Sequence, residues 1–225
     1  MKAMILAAGT GTRLRPLTEQ LPKPLIRVGT ETLIERILRK LADADFREIV
    51  INICYKKQMI MDALGDGKYY GVEITYSDEG EEPLETGGGI KKALPLLGDD
   101  VCLIVNADIY TDWQPQQFNL PAKHEAHLLL VDNPPHHPDG DFGLDHGVVT
   151  PARENCLTYA GIGYYRLSMF KDIDKTHFKL AQALKPAVRR GLIGGTHCRD
   201  FWMDAGTPAS LAKLKEQIAA QTGDA

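Results

Sequence analysis

The sequence predicts an α/β fold, a Rossmann-like and mostly parallel sheet flanked by helices in a three-layer sandwich. Three observations carry this expectation. Short, almost wholly apolar runs of the kind buried on both faces stand at residues 2–8, 49–53 and 101–106. Segments with helical apolar spacing alternate with them, a rhythm that builds parallel sheets covered on both sides. Glycine clusters follow the first run and precede the helix leading to the last, at the turns where such sheets bind ligands.

The elements follow in order. Residues 2–8 form a first strand stopped by Gly9. Residues 32–44 carry a helical stripe of Leu33, Ile34, Ile37, Leu38 and Leu41, opened by Thr32 and Glu35 in the spacing of a capping box. A second strand at 49–53, a short helix at 57–64 and a third strand at 72–77 come next. A helix over 90–97 opens after Gly87-Gly88-Gly89 and leads to a fourth strand at 101–106. The second half is less regular: a strand at 127–131, a Pro-, His- and Gly-rich stretch at 133–147, and a strand at 161–166. Residues 178–191 have helical spacing, with Pro186 predicting a kink or a shorter helix. The last helix takes Thr207 as N-cap and Pro208 in its first turn, and buries Leu211, Leu214 and Ile218.

Composition narrows the function classes. At 225 residues the chain is read as a single domain, 1–225, large enough to bury a core without disulfide or metal staples. A net charge of -4 argues against a broadly basic nucleic-acid binder. No apolar stretch approaches the roughly 20 residues of a membrane span, and the apolar start lacks a cleavage pattern, so a cytoplasmic protein is expected. The cysteines Cys54, Cys102, Cys156 and Cys198 form no C-x-x-C pair and read as buried free thiols.

Gly9-Thr10-Gly11-Thr12-Arg13 follows the first strand, where backbone N–H groups can approach phosphate oxygens and Arg13 can add charge-assisted bonds. Leu14 stands where a dinucleotide fingerprint needs its third glycine, and no Walker A lysine is present. Residues 6–18, continued by Pro22-Lys23-Pro24-Leu25, closely resemble the signature of sugar-1-phosphate nucleotidyltransferases. Members join a sugar 1-phosphate to a nucleoside triphosphate and release pyrophosphate, on a glycosyltransferase-A-like sandwich. The resemblance implies a nucleotide-binding half at 1–110 and a sugar-binding half at 111–225. It also implies that Ala8, Gly9, Gly11 and Thr12 hold base and phosphates, that Arg13 meets the leaving pyrophosphate, and that Lys23 lies against the transferred group. Such chemistry needs positioning and charge neutralisation rather than a protein nucleophile.

Asp108, just past the fourth strand, and Asp204, in Trp202-Met203-Asp204-Ala205-Gly206-Thr207, are the two carboxylates the resemblance assigns to Mg2+, a cation suited to hard oxygen ligands plus phosphates. The same comparison puts Glu82, Gly87 and Gly88 near the nucleobase, where glycines permit close backbone approach. Asn106, Asp141, Gly161 and Lys179 fall at its sugar contacts. Glu85–Ile90, Val131-Asp132-Asn133-Pro134, His136-His137, Gly140-Asp141-Phe142 and Phe178-Lys179-Leu180-Ala181 resemble the branch that uridylylates N-acetylmuramate 1-phosphate with UTP in peptidoglycan recycling. The adjacent His136 and His137 should point apart, as a solvated loop pair rather than a metal site. A monomer or small homo-oligomer is expected. Rival readings are nucleotidyltransferases for mannose, heptose or glucose 1-phosphate with GTP or another triphosphate, a silent nucleotide-sugar sensor, and a metal-dependent glycosyltransferase using Asp139-Gly140-Asp141.

Overall fold

A computed structural model of the chain describes residues 1–98, 100–151 and 156–222. Strand β1 (Ala3–Leu6) leads into the glycine loop, a 3-10 turn at Thr12–Leu14, α1 (Leu17–Gln20) and a second 3-10 turn at Lys23–Leu25. The hairpin β2 (Arg27–Val28) and β3 (Glu31–Thr32) precedes α2 (Leu33–Asp43), β4 (Glu48–Ile53), α3 (Lys57–Leu64), β5 (Glu73–Asp78), α4 (Glu85–Leu97) and β6 (Val101–Asn106). The second half runs β7 (Ile109–Thr111), β8 (Ala126–Val131), β9 (Phe142–Asp145), β10 (Val148–Pro151), β11 (Thr158–Arg166), α5 (Leu180–Arg189), β12 (Ile193–His197), β13 (Trp202–Asp204) and α6 (Pro208–Thr222).

Nine strands form one sheet in the order β5-β4-β1-β6-β11-β8-β12-β10-β9. The first four are parallel, as the alternating apolar runs predict. Beyond β6 the sheet mixes directions: β11 is antiparallel to both its neighbours, while β12 joins β8 in parallel. β7 and β13 make a separate two-stranded ribbon.

Strand β1 shows why a short apolar run suffices. Ala3 and Ile5 face the core under α2 and α3, whereas Met4 faces the core under α4 and α5; all three are fully buried. Thr32 and Glu35 form the expected capping box, Thr32 N donating to Glu35 Oε2 at 2.8 Å and Glu35 N to Thr32 Oγ1 at 3.3 Å. Leu38 and Leu41 on that helix are wholly covered, each worth about 1.5–3 kcal/mol of burial. Thr207 caps α6 by accepting from Ser210 N at 3.1 Å, and Leu211, Leu214 and Ile218 pack on Leu14, Ile26 and Val28 beneath the glycine loop. The four cysteines are buried thiols outside any disulfide among the described residues. Among the described residues no helix is long and apolar enough to cross a membrane.

Some boundaries differ from the expectation: β11 begins at Thr158 rather than Gly161, and the start of α4 moves further. Helix α4 begins at Glu85 and contains Gly87-Gly88-Gly89 rather than starting after them. The glycines serve packing inside the helix: a Cβ on Gly87 would lie 2.3 Å from the Phe178 ring, one on Gly88 2.2 Å from Thr176 O, and one on Gly89 2.3 Å from Glu79 Oε1. Helix α5 is the shorter form allowed for by Pro186, which it contains.

Candidate active site

The carboxyl ends of β1, β4 and β6 stop in register, with Leu6 opposite Asn52 on one side and Asn106 on the other. A cleft of about 610 Å3 opens over these ends, where a parallel sheet exposes ligand-binding loops. Its rim is tied down from below. Asn52 Oδ1 accepts from Ala7 N at 2.7 Å, and its Nδ2 donates to Glu79 Oε1 at 2.6 Å. The other Glu79 oxygen accepts from Leu84 N at 2.7 Å. Asn52 and Glu79 are both buried, so these bonds act where water does not compete.

The glycine loop turns at Gly11, whose φ of 64° is left-handed and whose carbonyl accepts from Thr18 Oγ1 at 2.8 Å. Ala8, Gly9, Gly11, Thr12 and Arg13 all line the cleft. The Arg13 side chain reaches towards Gly206 and makes no ion pair among the described residues. Lys23, held between two prolines in a 3-10 turn, is only 12% exposed and is ion-paired with Asp108 Oδ2.

Asp108 sits in the turn between β6 and β7. Asp204 ends β13 opposite Ile109, and Ala205 N donates to Asp108 O at 2.8 Å, so the two aspartates stand on adjoining backbones. Both are part-exposed hard-oxygen donors; Asp108 lines the cleft, whereas Asp204 stands just outside its lining, accepting from Gly206 N at 2.8 Å and paired with His136. No trio of His, Cys, Asp or Glu suited to a metal gathers among the described residues. A hard divalent cation at this pair would therefore take its remaining ligands from phosphate or water, which fits the donor chemistry.

A second cleft of about 740 Å3 joins the first, the two sharing Glu85, Thr86 and Asn106. Asp141 and Lys179 line it. Asp141 Oδ2 accepts from Tyr159 N at 2.8 Å, and the Tyr159 hydroxyl lies 2.7 Å from that of Tyr165. Burial raises the pKa of both phenols above the ordinary value, so the pair stays neutral.

Of the residues singled out in the sequence, Glu82, Asn106 and Asp108 join the loop residues and Lys23 in the first cleft. Gly87 and Gly88 do not line it; their N–H groups are spent on Phe178 O at 2.9 and 3.0 Å. Gly161 lies behind Asn106, where a Cβ would come within 2.6 Å of its amide nitrogen. The two histidines do diverge, but they are not merely solvated. His136 Nε2 is 2.9 Å from Asp204 Oδ2, and His137 Nε2 is 3.2 Å from Asp141 Oδ1. One loop thus touches an aspartate on each side of the site.

Sequence reasoning missed Glu85, Thr86 and His177 as cleft residues. Glu85 has a φ of 63°, a left-handed conformation that costs a non-glycine residue about 1–2 kcal/mol. Thr86 Oγ1 accepts from Leu180 N at 2.9 Å, fastening α5 to the start of α4. The signal was available only as Glu-Thr before a glycine run, which does not reveal the helix boundary.

The arrangement offers an anion-binding loop, a lysine between prolines, two neighbouring carboxylates and an adjoining cleft. The profile of the nucleotidyl transferase family matches residues 2–221. An N-acetylmuramate alpha-1-phosphate uridylyltransferase of Neisseria meningitidis serogroup B is 47% identical over 97% of both chains. A mannose-1-phosphate guanyltransferase of Aspergillus fumigatus is 34% identical across all of this chain and 69% of its own length. In fold, HddC from Yersinia pseudotuberculosis superposes with a TM-score of 0.80 over 96% of this chain and 98% of its own, at 22% identity. A Bacillus anthracis chain solved with a sucrose reaches 0.84, also at 22% identity, over 97% and 95%. The chain belongs to the nucleotidyl transferase family.

Proposed function

We propose that this enzyme transfers a uridylyl group from UTP to N-acetylmuramate 1-phosphate, giving the UDP-sugar and pyrophosphate, in the cytoplasm. The observation that carries the choice of substrates is the Neisseria relative, alike at 47% of positions over nearly the full length of both chains. The first cleft takes the triphosphate: Ala8, Gly9, Gly11 and Thr12 face it with backbone and small side chains, and Glu82 stands at its rim for the base. The second cleft takes the sugar, with Asn106 at the junction and Asp141 and Lys179 further in.

A phosphate oxygen of the sugar is already anionic near pH 7, so it attacks the α-phosphorus in line without a protein base. The new P–O bond forms as the bond to the β-phosphate oxygen breaks, and the electron pair leaves with pyrophosphate towards Arg13. Lys23 exchanges its partner Asp108 for phosphate oxygens and offsets the repulsion between two polyanions. Asp108 and Asp204 would hold Mg2+, which supplies further charge neutralisation at the reacting phosphates. The Aspergillus relative favours a second reading, GTP with mannose 1-phosphate.

The test is a pyrophosphate-release screen of the common nucleoside triphosphates against a panel of sugar 1-phosphates, with Mg2+. Preference for UTP with N-acetylmuramate 1-phosphate is expected. Preference for GTP with mannose 1-phosphate selects the second reading, and no release with any pair contradicts both.

A further inference from the structure

One wall of the second cleft, which neither Lys23 nor Asp108 lines, is one face of α5. Ala181, Leu184, Lys185, Val188 and Arg189 line it, the i, i+3, i+4, i+7, i+8 pattern of a single helix side. Three of these are apolar and form a floor; Lys185 and Arg189, one turn apart, stand above it, and Lys179 precedes the helix on the same cleft. All three cations are exposed, and none makes an ion pair among the described residues. Arg190, the next residue, is by contrast paired with Glu125 at 3.7 Å. The acidic Asp141 in the same cleft is already engaged by Tyr159 N and His137. A favourable helix dipole explains basic residues near a C-terminus, but not their gathering on the face that lines a cavity. Like charges at i and i+4 repel each other unless an anion joins them.

We propose that Lys185 and Arg189, supported by Lys179, form a carboxylate subsite for the acidic side arm of the acceptor sugar. The inference rests on N-acetylmuramate 1-phosphate being the acceptor. Its lactyl carboxylate hangs from the oxygen on C3, two ring carbons from the C1 that bears the phosphate, so the molecule carries two anions held apart on one ring. The Lys23 and Asp108 cleft takes the phosphate end. Because that cleft meets the second one only at Glu85, Thr86 and Asn106, the ring lies across the junction and its side arm extends towards α5. The apolar floor accepts the lactyl methyl. A neutral sugar 1-phosphate leaves both cations without a partner, so the pair selects for the acid sugar as well as binding it.

The test compares kcat/KM for N-acetylmuramate 1-phosphate with that for N-acetylglucosamine 1-phosphate, the same ring without the lactyl group. Variants Lys185→Met, Arg189→Gln and the double variant are measured alongside wild type, with folding checked by thermal melting. The subsite predicts that the ratio falls about 5–10-fold in each single variant and more than about 30-fold in the double variant, chiefly through KM for the acid sugar. Arg189→Lys should recover part of the ratio, and the wild-type preference should weaken in high salt. A double variant that keeps the wild-type ratio within about twofold overturns the subsite and leaves the acceptor assignment standing. A wild type that shows no preference for the acid sugar overturns the acceptor assignment, and the subsite with it.

Discussion

Lys23 and Asp108, 85 residues apart in the chain, are ion-paired across the floor of the cleft. The lysine comes from a proline-flanked turn and the aspartate from the end of β6, so the contact joins the glycine-loop region to the centre of the sheet. Lys23 is nearly buried and Asp108 part-exposed, so removing the aspartate leaves the lysine's charge largely uncompensated.

Lys23→Met should therefore lower kcat about 10²–10³-fold, the usual cost of losing one preorganised donor at a developing charge. Steady-state pyrophosphate release measures it. A loss below tenfold would mean that Lys23 serves only the folded apo state.

Asn52 lines the cleft and braces its rim. Asn52→Leu leaves Ala7 N unpaired and strips the buried Glu79 carboxylate of a donor, at a cost of about 3 kcal/mol. Urea unfolding should show this as a lower midpoint with an unchanged slope. A change under 1 kcal/mol would show that the rim relaxes to other partners.

Glu85 tests strain held at the junction of the clefts. Glu85→Gly removes the left-handed penalty of about 1–2 kcal/mol, partly offset by the freedom glycine adds to the unfolded chain. Stability should hold or rise by up to about 1 kcal/mol while kcat/KM falls at least about tenfold. Loss of stability beyond 2 kcal/mol, or undiminished turnover, contradicts a functional reason for the strain.

His124 is 6% exposed, and its ring nitrogens have no hydrogen-bond partner among the described residues. Burial lowers its pKa, and that of nearby His127, from the ordinary value of 6.5. The unfolded chain then binds protons that the folded chain refuses, so stability is complete above pH 6.5 and falls as the pH drops below it. Melting temperature should decline between pH 7.5 and 5.5, and His124→Leu should flatten that decline. An unchanged slope in the variant would remove His124 as a source.

Much of the architecture was legible because its causes are local. The apolar run of β1, the Thr32–Glu35 capping box and the Thr207 cap are each decided within a few residues, and all three stand where the sequence places them. Arg13 and Asp108 share a cleft because a glycine loop after one strand and a carboxylate after another converge where those strands pair, as β1 and β6 do, whereas the expectation for Lys23 rested on the resemblance of the whole 6–25 segment to the family signature. The failures are non-local. Gly87 and Gly88 read as a base platform, yet the groups pressing on them are Phe178 and Thr176, about ninety residues onward. The partners of His136 and His137 depended on where a long loop crosses the sheet, and no pattern near those histidines encodes it.

The most direct test follows pyrophosphate release from UTP and N-acetylmuramate 1-phosphate across a Mg2+ titration, with wild type beside Asp108→Asn and Asp204→Asn. The two-aspartate site predicts one pyrophosphate per UDP-sugar from wild type, and at least a ~10³-fold loss in either variant that saturating Mg2+ does not restore. Near-wild-type turnover by either variant, or no release by wild type with this substrate pair, would contradict the account.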